Sequence, residues 1–260
     1  MRTIGAVGLH VEPMSPAVGA YVTGVDRPSV ALRDLFLEHH VLVLRGLDHV
    51  SAPGLLEFAA EWGEPYVHPY VDSVEGAVGV MEIGPAHEVT TTWHSDSTHS
   101  PRPPAITMLL ARVIPPGGRG DTCFANQHLA YDHLSVGMRR MLDGLRAVHS
   151  ATELATASGV ERNESIHPVV RTHPDTGRKA LFVNLDYVDR FEGMTPAESR
   201  PLLAQLCEHA GSYELTARHR WQVGDLLMWD NRSVQHRVVP DFEGMPRLLH
   251  RATVIGEEPE

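Results

Sequence analysis

The chain predicts a mainly β domain with flanking helices, and within that class a double-stranded β-helix (jelly roll, cupin-like). Three observations carry the prediction. The apolar runs are short, as in Val41-Leu42-Val43-Leu44 and Ile106-Thr107-Met108-Leu109-Leu110-Ala111. Prolines and glycines stand between them as punctuation, with no repeat or low-complexity tract. Strand-like runs fill the C-terminal part, and short strands around a hollow interior are what a double-sheet jelly roll needs.

Taken in order, Val41 to Arg45 reads as a buried strand, and Ser51 as the N-cap of a helix running through Leu55, Leu56, Phe58 and Ala59 to Trp62-Gly63. Ile106 to Ala111 reads as a core strand closed by Pro115-Pro116-Gly117-Gly118, with helices following from Gln127 to His133 and from Val136 to Leu145. Val169 to His173 and Ala180 to Val183 flank Pro174-Asp175-Thr176-Gly177, a hairpin pattern. Thr195-Pro196-Ala197-Glu198 combines an N-cap, a proline at the first helical position and a glutamate three residues after the cap. The helix that starts there should bury Leu202, Leu203 and Leu206 and stop at Gly211. Strands are expected at about Ser212 to Arg220, Asp225 to Trp229, Val234 to Val238 and Arg247 to Ile255.

At 260 residues, with 42% hydrophobic and 21% charged residues, a single compact domain over residues 1–260 is expected. The formal charge of −11 argues against a duplex nucleic-acid partner, which needs a basic footprint, and favours small-molecule ligands. The first residues lack a sustained apolar segment, and no later run approaches the ~18 apolar residues of a membrane span, so no membrane partner is expected. Cys123 and Cys207 are too few for a disulfide scaffold and have no CxxC spacing, so buried reduced thiols in a cytoplasmic protein are expected. A homo-oligomer is the expected assembly.

The chemistry centres on His94-Ser95-Asp96 and on His236, far along the chain. Two imidazoles and one carboxylate take one face of a metal ion and leave the other open, the arrangement of non-haem Fe(II) oxygenases. On extended backbone, residues two apart point to the same side, so His94 and Asp96 can grip one ion while Ser95 turns away. Alone, His-x-Asp is a weak pattern in a chain with 17 histidines. Its company makes it specific: Thr92-Trp93-His94-Ser95-Asp96, Gly120-Asp121-Thr122, Trp229-Asp230-Asn231-Arg232 ahead of His236, and Arg247-Leu248-Leu249-His250-Arg251 follow one another.

In that order the motifs resemble the taurine dioxygenase and 2,4-dichlorophenoxyacetate dioxygenase (TauD/TfdA) family of Fe(II)/2-oxoglutarate-dependent enzymes, from about Leu42 to Gly256. The resemblance implies iron on His94, Asp96 and His236, with 2-oxoglutarate and O₂ filling the open positions. It implies Arg247, the first arginine of Arg-x-x-x-Arg, as partner of the far carboxylate of 2-oxoglutarate, and Thr122 as a hydroxyl donor to the same group. A guanidinium suits that task because it is planar, bidentate and always charged. Positions 247, 249 and 251 share a strand face, but four residues at ~3.3 Å each place the two arginines about 13 Å apart, too far to hold one carboxylate. Arg251 is therefore placed at the edge of the metal centre, and the resemblance implies it, together with His68 in Trp62-Gly63-Glu64-Pro65-Tyr66-Val67-His68-Pro69, as holder of an anionic group on the substrate.

The pattern departs from the taurine branch at Thr90, where that branch has asparagine, at Ser97, where it has valine, and at Tyr187, which would present a hydroxyl to the pocket. The stretch from Ser150 to His167 is also shorter than usual there. These departures point away from taurine itself, while a sulfonate, sulfate ester or carboxylate stays the expectation. The expected reaction is hydroxylation with release of succinate and CO₂, favoured over halogenation because the third ligand is a carboxylate. A biosynthetic tailoring oxygenase acting on an amino-acid-like or other carboxylate intermediate is the alternative within the family. A zinc hydrolase and a non-catalytic jelly-roll binding protein are the alternatives outside it. His87, His99, His128, His133 and His149 form no ligand-like spacing, so no second metal is expected. Trp229 and Asp230 are expected to hold the strand that delivers His236.

Overall fold

The structure, a computed structural model, describes residues 2–4, 8–25, 27, 29–67, 71–84, 87, 89–151 and 164–260. Strands β1 (Arg2–Ile4), β2 (Leu9–Pro13) and β3 (Ala20–Thr23) precede helix α1 (Val30–His39), β4 (Val41–Leu44), α2 (Ala52–Ala60) and β5 (Met81–Ile83). Then come β6 (Ile106–Val113), β7 (Thr122–Asn126), α3 (Gln127–Asp132), α4 (Val136–Leu142) and β8 (Arg146–Ser150). The order ends with β9 (Glu164–Pro168), β10 (Val170–Thr172), β11 (Lys179–Leu181), β12 (Val188–Phe191), α5 (Pro196–Ala210), β13 (Thr216–His219), β14 (Leu226–Asp230), β15 (Val234–Val238) and β16 (Leu248–Val254).

An eight-stranded sheet, in the order β1-β2-β3-β4-β14-β6-β16-β5, forms one wall, and the three-stranded sheet β13-β7-β15 faces it. All neighbours in the large sheet are antiparallel apart from β3 and β4. Strand β4 explains the layering. Leu42 and Leu44 face the cluster beneath α1 and α2, with Leu32, Phe36 and Leu55, whereas Val41 and Val43 join Phe124, Trp229 and Val234 between the sheets. A strand covered on both faces reads as an unbroken apolar run, and all four of its residues are buried. A third cluster, built on Leu203, Leu206, Phe191 and Leu142, seats α5 and α4 against β8, β11 and β12.

The predicted caps are in place. Ser51 accepts the Gly54 N–H at the start of α2, and Thr195 and Glu198 form a reciprocal capping box at the start of α5. Helix α5 ends at Gly211, where a Cβ would stand 2.6 Å from the Trp93 Nε1, so only glycine lets the helix end lie against the loop carrying His94. The expected hairpin pairs Val170 with Leu181. Three of the boundaries that differ have a local cause. Helix α4 stops at Leu142 because Gly144 takes a left-handed φ of 75°. The expected strand from Ser212 opens as a 3-10 turn at Tyr213–Leu215, which tucks Leu215 into the core before β13 begins. Strand β16 begins at Leu248, with a register shift between Leu248 and Leu249 that leaves Arg247 just outside the ladder. Cys123 and Cys207 are free and buried. Among the described residues, no helix is long and apolar enough to cross a membrane.

The layers also enclose histidines. Burial first, and then the neighbouring His128, push His40 down to about 3, while burial and Arg45 push His219 down to about 3. Burial brings His128 to about 4. These folded values lie below the unfolded one, near 6.5, so the unfolded chain binds more protons in the window between them. Their contribution is complete above about pH 6.5 and is lost as the pH falls through that window. Urea unfolding should therefore show stability falling by at least ~1.4 kcal/mol per pH unit below about pH 6, the slope of one proton. A profile that stays flat from about pH 7 to 5 contradicts this account of the buried imidazoles.

Candidate active site

Between the two sheets lies a cavity of about 300 Å³. The large sheet lends Met81, Ile83, Leu109, Trp229 and Leu249 to its wall, and the small sheet lends Thr122, His236 and Val238. Nine of the ten residues singled out in the sequence line it: Thr90, His94, Asp96, Ser97, Thr122, Tyr187, His236, Arg247 and Arg251. The tenth, His68, lies outside the described residues.

His236 sits on β15, and His94 is brought beside it by a narrow antiparallel bridge, His94 N–H to the His236 carbonyl at 3.1 Å and His236 N–H to the His94 carbonyl at 2.8 Å. Ser95 turns away as expected, and its hydroxyl donates to the Val234 carbonyl at 2.8 Å. The extended backbone expected through Asp96 ends sooner. Asp96 enters a turn, and Ser97 adopts a φ of 46°, a conformation uncommon for serine, directly after it.

Ligand atoms of His94, Asp96 and His236 lie within 4.8 Å of one another, the one such group of three among the described residues. His94 Nε2 is 3.9 Å and His236 Nε2 is 3.8 Å from Asp96 Oδ1. His94 Nδ1 is engaged by the Thr92 carbonyl at 3.0 Å, which fixes the proton there and leaves Nε2 with a free lone pair. Burial and the neighbouring His94 push His236 down to about 3, so it is neutral at physiological pH. Burial pushes the Asp96 carboxyl up, but Arg251, the two histidines and the Thr107 hydroxyl outweigh it and hold the group well below the usual carboxylate range. Two imidazole nitrogens and one anionic oxygen around an open cavity suit Fe(II).

The turn that delivers His236 is tied down. Asp230 accepts the Arg232 backbone N–H at 2.9 Å, Arg232 Nε and one terminal guanidinium nitrogen at 2.8 Å each, and His173 Nε2 at 2.9 Å. The Trp229 ring lies against the His236 ring, 4.6 Å between centroids. Both residues therefore hold the connection between β14 in one sheet and β15 in the other, as expected of them.

Arg247 is 4% exposed, stacked over Phe242 at 5.0 Å, and lines the cavity. Burial brings its guanidinium down to about 10, with no carboxylate among the described residues offsetting it, so it remains a cation at neutral pH. Thr122 accepts the Trp221 indole N–H at 3.2 Å, which leaves its own hydroxyl hydrogen free. Arg251 is one-quarter exposed and forms an ion pair with Asp96, one guanidinium nitrogen lying 3.0 Å from Oδ2. Burial, with Asp96 and Asp186 nearby, pushes Tyr187 up to about 12, so its phenol stays neutral. Thr90 is exposed at the mouth, and its carbonyl accepts the Val238 N–H at 3.0 Å. Two residues with a place in the site went unread, Thr107 and Asn231. Asn231 was visible only as part of Trp229-Asp230-Asn231-Arg232, and Thr107 only as one residue of a core strand.

The family model described as "Taurine catabolism dioxygenase TauD, TfdA family" matches residues 10–253. The alpha-ketoglutarate-dependent sulfate ester dioxygenase of Pseudomonas putida is 35% identical over 279 residues, covering 98% of this chain and 92% of that protein. A solved taurine dioxygenase from Burkholderia xenovorans is similar with a TM-score of 0.86 at 34% identity, over 96% of this chain and 90% of that one. AAD-2, solved in complex with Mn(II) and N-oxalylglycine, is similar with a TM-score of 0.83 at 29% identity, over 96% of this chain and 98% of that one.

Proposed function

We propose, on the premise that this chain belongs to the TauD/TfdA family and is a jelly-roll dioxygenase using Fe(II), 2-oxoglutarate and O₂, that the cavity between its sheets hydroxylates a small anionic compound, with His94, Asp96 and His236 as iron ligands. Bound there, the iron supplies the O₂ activation that couples decarboxylation of 2-oxoglutarate to succinate and CO₂ with oxidation of the substrate.

The observation that carries the assignment is Arg247, a buried cation without a carboxylate partner among the described residues, facing the same cavity as the triad. Burying a lone charge costs several kcal/mol, and an incoming carboxylate offsets that cost. A hydrolase has no need of such an anchor. Thr122, with its hydroxyl hydrogen free, supports the same carboxylate. The relatives likewise favour the dioxygenase over the zinc hydrolase and the non-catalytic binding protein.

For the substrate, support comes from Arg251 and from the Pseudomonas putida relative, named for sulfate esters. One Arg251 nitrogen is taken by Asp96 and its Nε points to Thr253, but a guanidinium has five N–H groups, and the residue lines the cavity. A sulfate, sulfonate or carboxylate would meet it there, with His68 assigned the same task by sequence. Thr90, Ser97 and Tyr187 would shape the rest of the pocket, Tyr187 as a neutral hydroxyl donor. At about 300 Å³ the cavity stands at the lower end for ligand sites, which suits a small substrate. A single domain over residues 1–260 accords with the family match to 10–253, and free, buried cysteines accord with a cytoplasmic location. The expected homo-oligomer remains part of this proposal.

Arg247→Ala should raise the 2-oxoglutarate concentration for half-maximal turnover roughly 150-fold, about 3 kcal/mol, with iron saturating. An unchanged 2-oxoglutarate dependence would place the anchor elsewhere. Succinate release with an anionic compound and its neutral isostere tests the substrate class: the wild type should favour the anion, and Arg251→Ala and His68→Ala should each lessen that preference. A wild-type preference for the neutral compound contradicts the anionic assignment.

A further inference from the structure

Resting on the metal site proposed above, we propose that Asn231, acting through Thr107, is the positioning device that makes Asp96 a ligand through one oxygen only. Asn231 is 2% exposed, and its side chain makes three hydrogen bonds. Its Oδ1 accepts the Trp229 indole N–H at 3.0 Å and the Asp96 backbone N–H at 3.1 Å. An indole nitrogen and a backbone nitrogen only donate, so the amide can face them only with its oxygen. Its Nδ2 is thereby turned toward Thr107, whose Oγ1 it reaches at 3.0 Å.

Thr107 is fully buried and has one hydroxyl hydrogen. Because its oxygen already receives the Asn231 N–H, that hydrogen goes to Asp96 Oδ2, at 2.6 Å, the short distance of a bond to an ionised acceptor. Arg251 holds a positive charge against the same oxygen, 3.0 Å away in an ion pair. Oδ2 therefore carries one hydrogen bond and one ion pair, while Oδ1 is the oxygen nearest the Nε2 atoms of both histidines. The fold supports the arrangement, since Thr107 on β6 is the register partner of Trp229 on β14.

The consequence concerns the open face of the metal. A carboxylate with both oxygens free can grip an ion with both, as carboxylates do on calcium, and would then occupy a position that the 2-oxo acid or O₂ requires. With Oδ2 engaged by the Thr107 hydroxyl and by the Arg251 charge, Asp96 offers Oδ1 alone. Buried as they are, Asn231 and Thr107 leave little room for water to replace the relay.

The test uses Co(II) as a spectroscopic probe of the full chain, without 2-oxoglutarate, alongside thermal unfolding of the metal-free protein. Thr107→Val keeps the shape and removes the hydroxyl. It should weaken Co(II) binding roughly tenfold or more and alter the visible Co(II) absorption spectrum, whereas Thr107→Ser should stay within about twofold of wild type and retain its spectrum. Asn231→Asp keeps the outline but removes the N–H that orients Thr107, so its spectrum should change as that of the valine variant does, which tests the relay even if Thr107→Val does not fold. Wild-type affinity and spectrum in Thr107→Val or Asn231→Asp overturn the proposal, as does a loss in Thr107→Ser equal to that in Thr107→Val. Asp96→Ala is the separate control. If it binds Co(II) like wild type, the metal site itself is misassigned and the relay falls with it.

Discussion

The backbone pairing of His94 with His236, two hydrogen bonds at 3.1 and 2.8 Å, is the constraint on which the site depends. It joins a loop with little regular structure to the edge of the small sheet. The loop then follows β15 as an irregular extra strand: the Thr90 carbonyl accepts the Val238 N–H, and the Ser95 hydroxyl donates to the Val234 carbonyl. Three points of attachment along one strand fix the height of Asp96 above the small sheet. Thr107 and Arg251 then fix its orientation from the large sheet. The carboxylate is thus held from both layers, which is why a site with ligands so far apart in sequence can be rigid.

Charge in the cavity follows from the same geometry. Asp96 is anionic, and Arg251 lies against it, so that pair is close to neutral as a unit. Arg247 has no such partner among the described residues, and its burial is unfavourable until an anion arrives. On the proposed assignment the site is arranged to bind a dicarboxylate by one end on the metal and by the other on Arg247, with Thr122 assisting. Arg251 sits between two tasks. On the same assignment, its contact with Asp96 would couple the substrate side of the cavity to a metal ligand.

What the sequence made legible follows the chemistry of single residues. His94, Asp96, His236, Thr122 and Arg247 could be placed because their side chains and order are distinctive, and the structure gathers them around one cavity. The α5 cap was legible because Thr195, Pro196 and Glu198 act locally. The Arg251 pairing with Asp96 was not, because it depends on how β16 sits across from the loop. Thr107 was invisible for a different reason: threonine is common in strands, and only the Asn231 amide gives its hydroxyl a direction. Strands β2 and β3 were unread because each is short and half-exposed, with Leu9 and Val11 buried between exposed His10 and Glu12. The 3-10 turn at Tyr213–Leu215 was read as strand because its apolar residue, Leu215, is packed by a turn rather than by a pleat.

The most direct test of the central claim is anaerobic titration of 2-oxoglutarate into the protein with and without Fe(II), followed by the visible absorption that an iron-chelated 2-oxo acid produces. The account predicts a saturable band that appears only when both are present in the wild type and is absent in His236→Ala, which removes the ligand that the backbone bridge delivers. A wild-type protein that shows no band with both present, or a His236→Ala variant that retains the wild-type band, would contradict it.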